Sequence, residues 1–199
     1  MGWEIDERHI EFLHQLAIAS PKGSVICEIG SLRGSSTSAF VEALSLRPDL
    51  FLHIYETYTT PELVRLLENT EEAVKRRIFF YHRASYDMNH GPLSAKNYEG
   101  PRPNLVFIDG DHKWPAVADL GLCLTRGCGV ICLHDTQRYS PRSWKICFGS
   151  ILAAEILRKA PDRTYWEDKE KRVGENTHRG FLVSYPEKET WPCLVSPSE

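Results

Sequence analysis

The sequence predicts an α/β fold, a mostly parallel sheet with helices on both faces. Two observations carry that prediction. Short runs such as VICEI (25–29), NLVFI (104–108) and GVICL (129–133) are apolar at nearly every position, as strands covered on both sides are. Segments with helical periodicity alternate with those runs along the chain. A chain of 199 residues is enough for one domain with a full core, so a single unit over 1–199 is expected.

In order, Glu4 to Ile18 reads as an amphipathic helix, with Ile10, Leu13 and Ala17 near one face. Ser24 to Ile29 is the first strand. Ser35 to Leu46 follows as a helix, with Ser35 or Ser36 as N-cap and Pro48 beyond its end. Leu50 to Glu56 is the second strand, and Pro61 to Arg76 a helix opened by proline in its first turn. Arg77 to His82 is the third strand. Tyr86 to Arg102 carries Asn, His, Gly and Pro and reads mostly as loop. Asn104 to Ile108 is the fourth strand. Pro115 to Thr125 is a helix, with Gly127 at the place of a left-handed C-cap. Gly129 to Leu133 is the fifth strand and Phe148 to Lys159 a helix. Arg163 to Trp166 and Gly180 to Tyr185 are late strands, joined by a charged, solvated turn over Glu167 to Asn176. The total is seven strands.

Composition excludes several classes. The net charge of −3 offers no overall field for nucleic acid. No apolar run is long enough to span a bilayer, and the N-terminus lacks a signal-like apolar core. The six cysteines lack paired C-x-x-C spacing, and Cys27 and Cys132 sit inside apolar strands. Free thiols in a cytoplasmic protein are the expectation.

In open parallel sheets, ligands bind beyond the carboxyl ends of the strands, where strand order reverses. The residues there are Glu28-Ile29-Gly30, Glu56, Ser85, Asp109 to His112, and His134-Asp135. The first loop, EIGSLRG, is neither a dinucleotide fingerprint nor a phosphate loop. Leu32 stands where the former needs its second glycine, and Ser35 replaces the lysine of the latter. A glycine at position 30 permits a sharp turn and close approach to a ligand. The carboxylate of Glu28 suits a cationic ligand better than a pyrophosphate.

The E-x-G-x-x-x-G loop resembles the first motif of class I S-adenosylmethionine-dependent methyltransferases. The span NLVFIDGDHKWPAVADLGLCLTRGCGVICLHDT (104–136) strengthens the likeness. It resembles small-molecule methyltransferases carrying I-D-G-D-H followed by H-D, which are related to the catechol-type and macrolide-sugar O-methyltransferases and to cephalosporin hydroxylase-like proteins. The resemblance covers about residues 22 to 160, with the N-terminal helix in 1–20 and the C-terminal strands and tail in 161–199.

The resemblance implies a Rossmann-like, seven-stranded sheet whose last strand runs antiparallel. It implies S-adenosylmethionine as methyl donor, held by Glu28, Gly30, Ser31, Gly34, Glu56, Ser85 and Asp109. Glu56, about one β-α-β unit after the first loop, would accept both ribose hydroxyls. Adjacent strand ends lie about 5 Å apart, so Asp109 and Asp135 can converge on a divalent cation such as Mg²⁺. In the metal-dependent relatives a further ligand aligns with His134. An acid stands there in those relatives, and a histidine shifts preference toward transition metals or means that no metal binds.

His112, three residues past Asp109, aligns with the relatives' general base, and an imidazole can take a proton near neutral pH. Asp111 reads as a turn acid, and Asp119 as serving local structure. Arg138, Tyr139, Arg142 and Trp144 read as surface loop or substrate wall. The expected acceptor is a small-molecule hydroxyl, with no nucleic-acid or membrane partner. A homodimer would complete the pocket. Two other readings stand beside this one: a metal-dependent, hydroxylase-like enzyme on the same scaffold, and a non-catalytic cofactor-binding protein.

Overall fold

The structure, a computed structural model, describes residues 5–86, 91–94, 98–137, 141–169 and 180–188, apart from the side chains of 141–144. Arg138, Tyr139, Arg142, Trp144, most of the charged turn and Cys193 therefore fall outside what is described. The elements are α1 (Glu7–Ala19), β1 (Val25–Ile29), α2 (Ser35–Leu46), β2 (Phe51–Tyr55), α3 (Pro61–Asn69), α4 (Glu72–Lys75), β3 (Ile78–Tyr81), β4 (Leu105–Ile108), α5 (Trp114–Thr125), β5 (Val130–His134), α6 (Pro141–Arg158), β6 (Arg163–Asp168) and β7 (Phe181–Pro186).

The seven strands form one sheet in the order β3-β2-β1-β4-β5-β7-β6. Strands β1 to β5 are mutually parallel, and β7 pairs antiparallel with both β5 and β6. The last strand thus runs as expected. Order reverses between β1 and β4. The register aligns Ile29 with Tyr55 and with Ile108, and Ile108 with Leu133. The next residues, Gly30, Glu56, Asp109 and His134, therefore stand in one row across the top of the sheet.

Strand alternation sends successive side chains to opposite faces. Ile26, Leu52, Ile54, Leu105 and Phe107 pack against Leu13, Leu16, Phe40 and Leu44 of α1 and α2. Cys27, Val106, Ile108, Ile131 and Leu133 pack against Leu120, Ala153, Ala154 and Leu157 of α5 and α6.

Three helices differ from expectation, each for a local reason. Helix α1 starts at Glu7, because the Asp6 side chain accepts from Arg8 N and caps it. The expected helix 61–76 is two, α3 and α4, because Thr70 turns to extended angles (φ −68°, ψ 142°) while its hydroxyl donates to Leu66 O at 2.8 Å. Helix α6 starts at Pro141 and is kinked at Cys147 (φ −116°, ψ 24°), so the expected start at Phe148 is the start of its second segment. Gly127 (φ +62°) does close α5. Its N–H donates to Leu124 O and that of Cys128 to Cys123 O, a Schellman pair. No helix among the described residues is long and apolar enough to cross a membrane. The five described cysteines, Cys27, Cys123, Cys128, Cys132 and Cys147, are buried.

Candidate active site

A crevice of about 660 Å³ opens at the switch point, above the ends of β1 to β4. Gly30, Glu56, Ser85, Asp109 and His112 line it. A smaller recess of about 60 Å³ lies alongside, lined by Ser31, Ser36, Asp109, His112, His134 and Ile5. Asp109 and His112 belong to both walls.

Gly30 (φ +84°) makes the turn out of β1, but its close approach is to protein. A Cβ there would stand 2.5 Å from Asp109 O and from Gly110 Cα. Gly30 therefore lets the loops after β1 and β4 touch, and it also lines both cavities. Two residues on, Leu32 (φ +42°) is a non-glycine in the left-handed region, a conformation that stores strain. What holds it is Glu56. One carboxylate oxygen accepts from Ser31 N and Leu32 N, both at 2.8 Å, and the other from Tyr58 N at 2.9 Å. Ser31 Oγ makes a longer contact, 3.4 Å, with the first of those oxygens, so the acceptor position left for a ribose hydroxyl is on the second, which takes only Tyr58 N.

Glu28 is placed differently from expectation. As an interior residue of β1 it points to the α2 face, with no exposure, and lines neither cavity. Ser36 Oγ and Thr37 Oγ1 donate to its two oxygens at 2.5 and 2.8 Å. Burial pushes its carboxyl up to about 8 against those two hydrogen bonds, with smaller upward contributions from Glu56 and Asp109. Gly34 likewise lines neither cavity. It, and not the expected Ser35 or Ser36, is the N-cap of α2, left-handed and packed on Leu63 and Leu66 of α3.

Ser85 lies on the crevice wall, and its hydroxyl donates to Asp119 Oδ1. Asp119 lines the same crevice, and burial pushes its carboxyl up to about 6. Sequence reasoning gave Asp119 only a local role. Its spacing, one helical turn past Pro115 on the inner face of α5, is the signal that could have placed it. Thr60 was also missed. Its hydroxyl donates to Leu32 O at 2.7 Å and accepts from Leu63 N, tying the first loop to the start of α3.

The remaining residues converge. His134 Nδ1 lies 3.1 Å from Asp109 Oδ1 and 3.3 Å from Asp135 Oδ1, and His112 Nε2 lies 3.2 Å from Asp135 Oδ2. One ligand atom from each of Asp109, His134 and Asp135 lies within 4.8 Å of the others, a donor set that fits a divalent cation. Asp135 lines neither cavity. It is fully buried behind the two histidines with φ +59°. Asp111 Oδ1 accepts from Lys113 N, the expected turn acid. His9 of α1 stacks on Phe181 and meets the edge of His134 at 5.7 Å between ring centroids. Burial, and secondarily His134, lower its pKa.

No family model matches the chain, and no curated protein matches its sequence. Solved structures do match its fold. The O-methyltransferase TomG from Streptomyces achromogenes, involved in tomaymycin synthesis and solved with S-adenosylmethionine, is 20% identical with a TM-score of 0.69, covering 92% of this chain and 81% of that one. An O-methyltransferase from Bacillus cereus, in complex with S-adenosylhomocysteine, is 18% identical with a TM-score of 0.69, covering 94% and 84%. An rRNA methylase from Streptococcus thermophilus is 12% identical with a TM-score of 0.58, covering 92% and 98%. The chain has the Rossmann-like fold of class I methyltransferases.

Proposed function

We propose that this chain transfers a methyl group from S-adenosylmethionine to an oxygen of a small molecule. One observation carries the reading. A crevice of nucleoside size meets a small polar recess at the sheet's switch point, and Asp109 and His112 form the shared wall. The fold's likeness to methyltransferases solved with S-adenosylmethionine or S-adenosylhomocysteine supports it.

In this reading the donor occupies the larger crevice. Glu56 accepts from its ribose, Ser85 and Asp119 face its base, and the Gly30-Ser31 backbone and Asp109 lie toward its cationic sulfur. Glu28 and Gly34 act on the first turn of α2 and not on the donor. The acceptor hydroxyl enters the recess. His112 takes its proton, the oxygen bonds to the methyl carbon, and the carbon–sulfur bond breaks with its electron pair going to sulfur. The sulfonium leaves as a neutral thioether. Much of the acceleration comes from holding the two reactants in line. Asp109, His134 and Asp135 would hold a divalent cation, whose chemistry there is to neutralise charge on the acceptor oxygen.

The fold also carries an rRNA methylase, so fold does not select the acceptor. The net charge of −3 and the recess of about 60 Å³ favour a small molecule over nucleic acid. The same reading places the protein in the cytoplasm as a homodimer, which fractionation and sedimentation equilibrium test.

Titration calorimetry with S-adenosylhomocysteine tests the reading first, and absence of binding by folded protein overturns it. Methylation of a panel of phenols, sugars and carboxylates then tests the acceptor. His112→Ala is expected to bind donor and lose about 100-fold or more in turnover; full turnover would remove the base assignment. The cluster of Asp109, His134 and Asp135 favours one other reading, a metal-dependent enzyme of another class. Tight Mn²⁺ binding without S-adenosylhomocysteine binding selects it.

A further inference from the structure

We infer that the kink of α6 is the device that positions the His112–Asp135 pair, with Cys147 and Gly149 as its positioning residues. The inference rests on the reading of His112 as the base, and it concerns residues that no motif singles out.

The geometry is a clamp with two jaws. Gly149 N donates to His112 O at 2.9 Å and Ser150 N to the same oxygen at 3.2 Å. The N–H groups that open a helical segment lack partners from a preceding turn, and a Gly-Ser pair is a common place for a helix to break. The break at Cys147 thus creates a new N-terminus inside α6, and that terminus grips the backbone of His112. The grip admits no side chain. A Cβ on Gly149 would stand 1.6 Å from Lys113 O and 2.9 Å from His112 O.

The second jaw acts on the carboxylate. Cys147 Sγ donates to Asp135 Oδ2 at 3.5 Å, the same oxygen that His112 Nε2 meets at 3.2 Å. Asp135 needs such a hold, because it is a fully buried non-glycine at φ +59°. One kinked turn therefore fixes the backbone of the histidine and the carboxylate oxygen that faces its ring. The other oxygen of Asp135 faces His134 Nδ1 at 3.3 Å.

The test reads His112 directly and needs no acceptor. Protein labelled with ¹⁵N-histidine is held in EDTA, and the ring-nitrogen signals of His112 are assigned by their loss in His112→Gln. Asp135→Asn is expected to shift them. Gly149→Ala is expected to shift them likewise, while Gly121→Ala, where a Cβ meets nothing within 4 Å, leaves them in place. Cys147→Ala is expected to shift them, and Cys147→Ser, which keeps a donor, to restore them. A folded Gly149→Ala with unmoved His112 signals overturns the inference. So does a Cys147→Ala spectrum identical to wild type, and this pair decides the matter if Gly149→Ala does not fold. Calorimetry with S-adenosylhomocysteine on the wild type separates the two readings. Its failure removes the methyltransferase proposal and leaves the His112 shifts standing.

Discussion

Glu28 illustrates how one residue's place in a strand decides its chemistry. Alternation along β1 turns it toward α2, where two hydroxyls hold it and water does not reach it. Its folded pKa of about 8 exceeds the unfolded value near 4.5. The folded state therefore binds the proton more tightly, and Glu28's contribution to stability is full below about pH 4.5 and lost as pH rises toward 8. The loss runs at up to about 1.4 kcal/mol per pH unit. Glu28→Gln should gain stability relative to wild type between pH 5 and pH 8, as measured by urea unfolding at both pH values. An unchanged difference would show that the carboxyl is ionised in the folded protein throughout. The acidic character of position 28 was legible in the sequence. Its orientation was not, because that needs the strand's register against α2.

Among the elements, α3 shows a cap that also serves the site. Thr60 accepts from Leu63 N and donates to Leu32 O, so one hydroxyl starts a helix and restrains a strained loop. Thr60→Ala should cost about 1 kcal/mol, and Thr60→Ser much less. Chemical denaturation checks the stability. A further loss in S-adenosylhomocysteine affinity for Thr60→Ala checks the link to the loop. The strands, α2 and α5 could be located from their apolar patterns and turn residues. The break between α3 and α4 and the kink in α6 could not. Each depends on side-chain hydrogen bonds or on backbone groups elsewhere in the chain that claim the N–H of a helical residue.

For the whole molecule, β7 is the strand that closes the fold. It lies between β5 and β6 although it comes last in the chain. Its Phe181 is fully buried against His9 and Phe12 of α1 and Phe107 of β4, beside His134. Phe181→Ala should cost about 3–5 kcal/mol, with urea midpoint and slope as the measurement. A cost below 1 kcal/mol would show that α1 and the sheet hold together without it. The sequence by itself determined the sheet's parallel character and, to within one residue, the carboxyl ends of β1 to β5. Both are written in local apolar runs and the residues that stop them. It also determined that Gly30, Glu56, Asp109 and His134 stand at strand ends, which parallel register then sets in one row. The tertiary structure alone decided that Glu28 and Gly34 face away from the crevice and that Asp119 faces into it. It alone decided that Asp135 meets His112. Those outcomes turn on which face of a strand or helix is covered and by what, and that is settled by contacts between residues far apart in the chain.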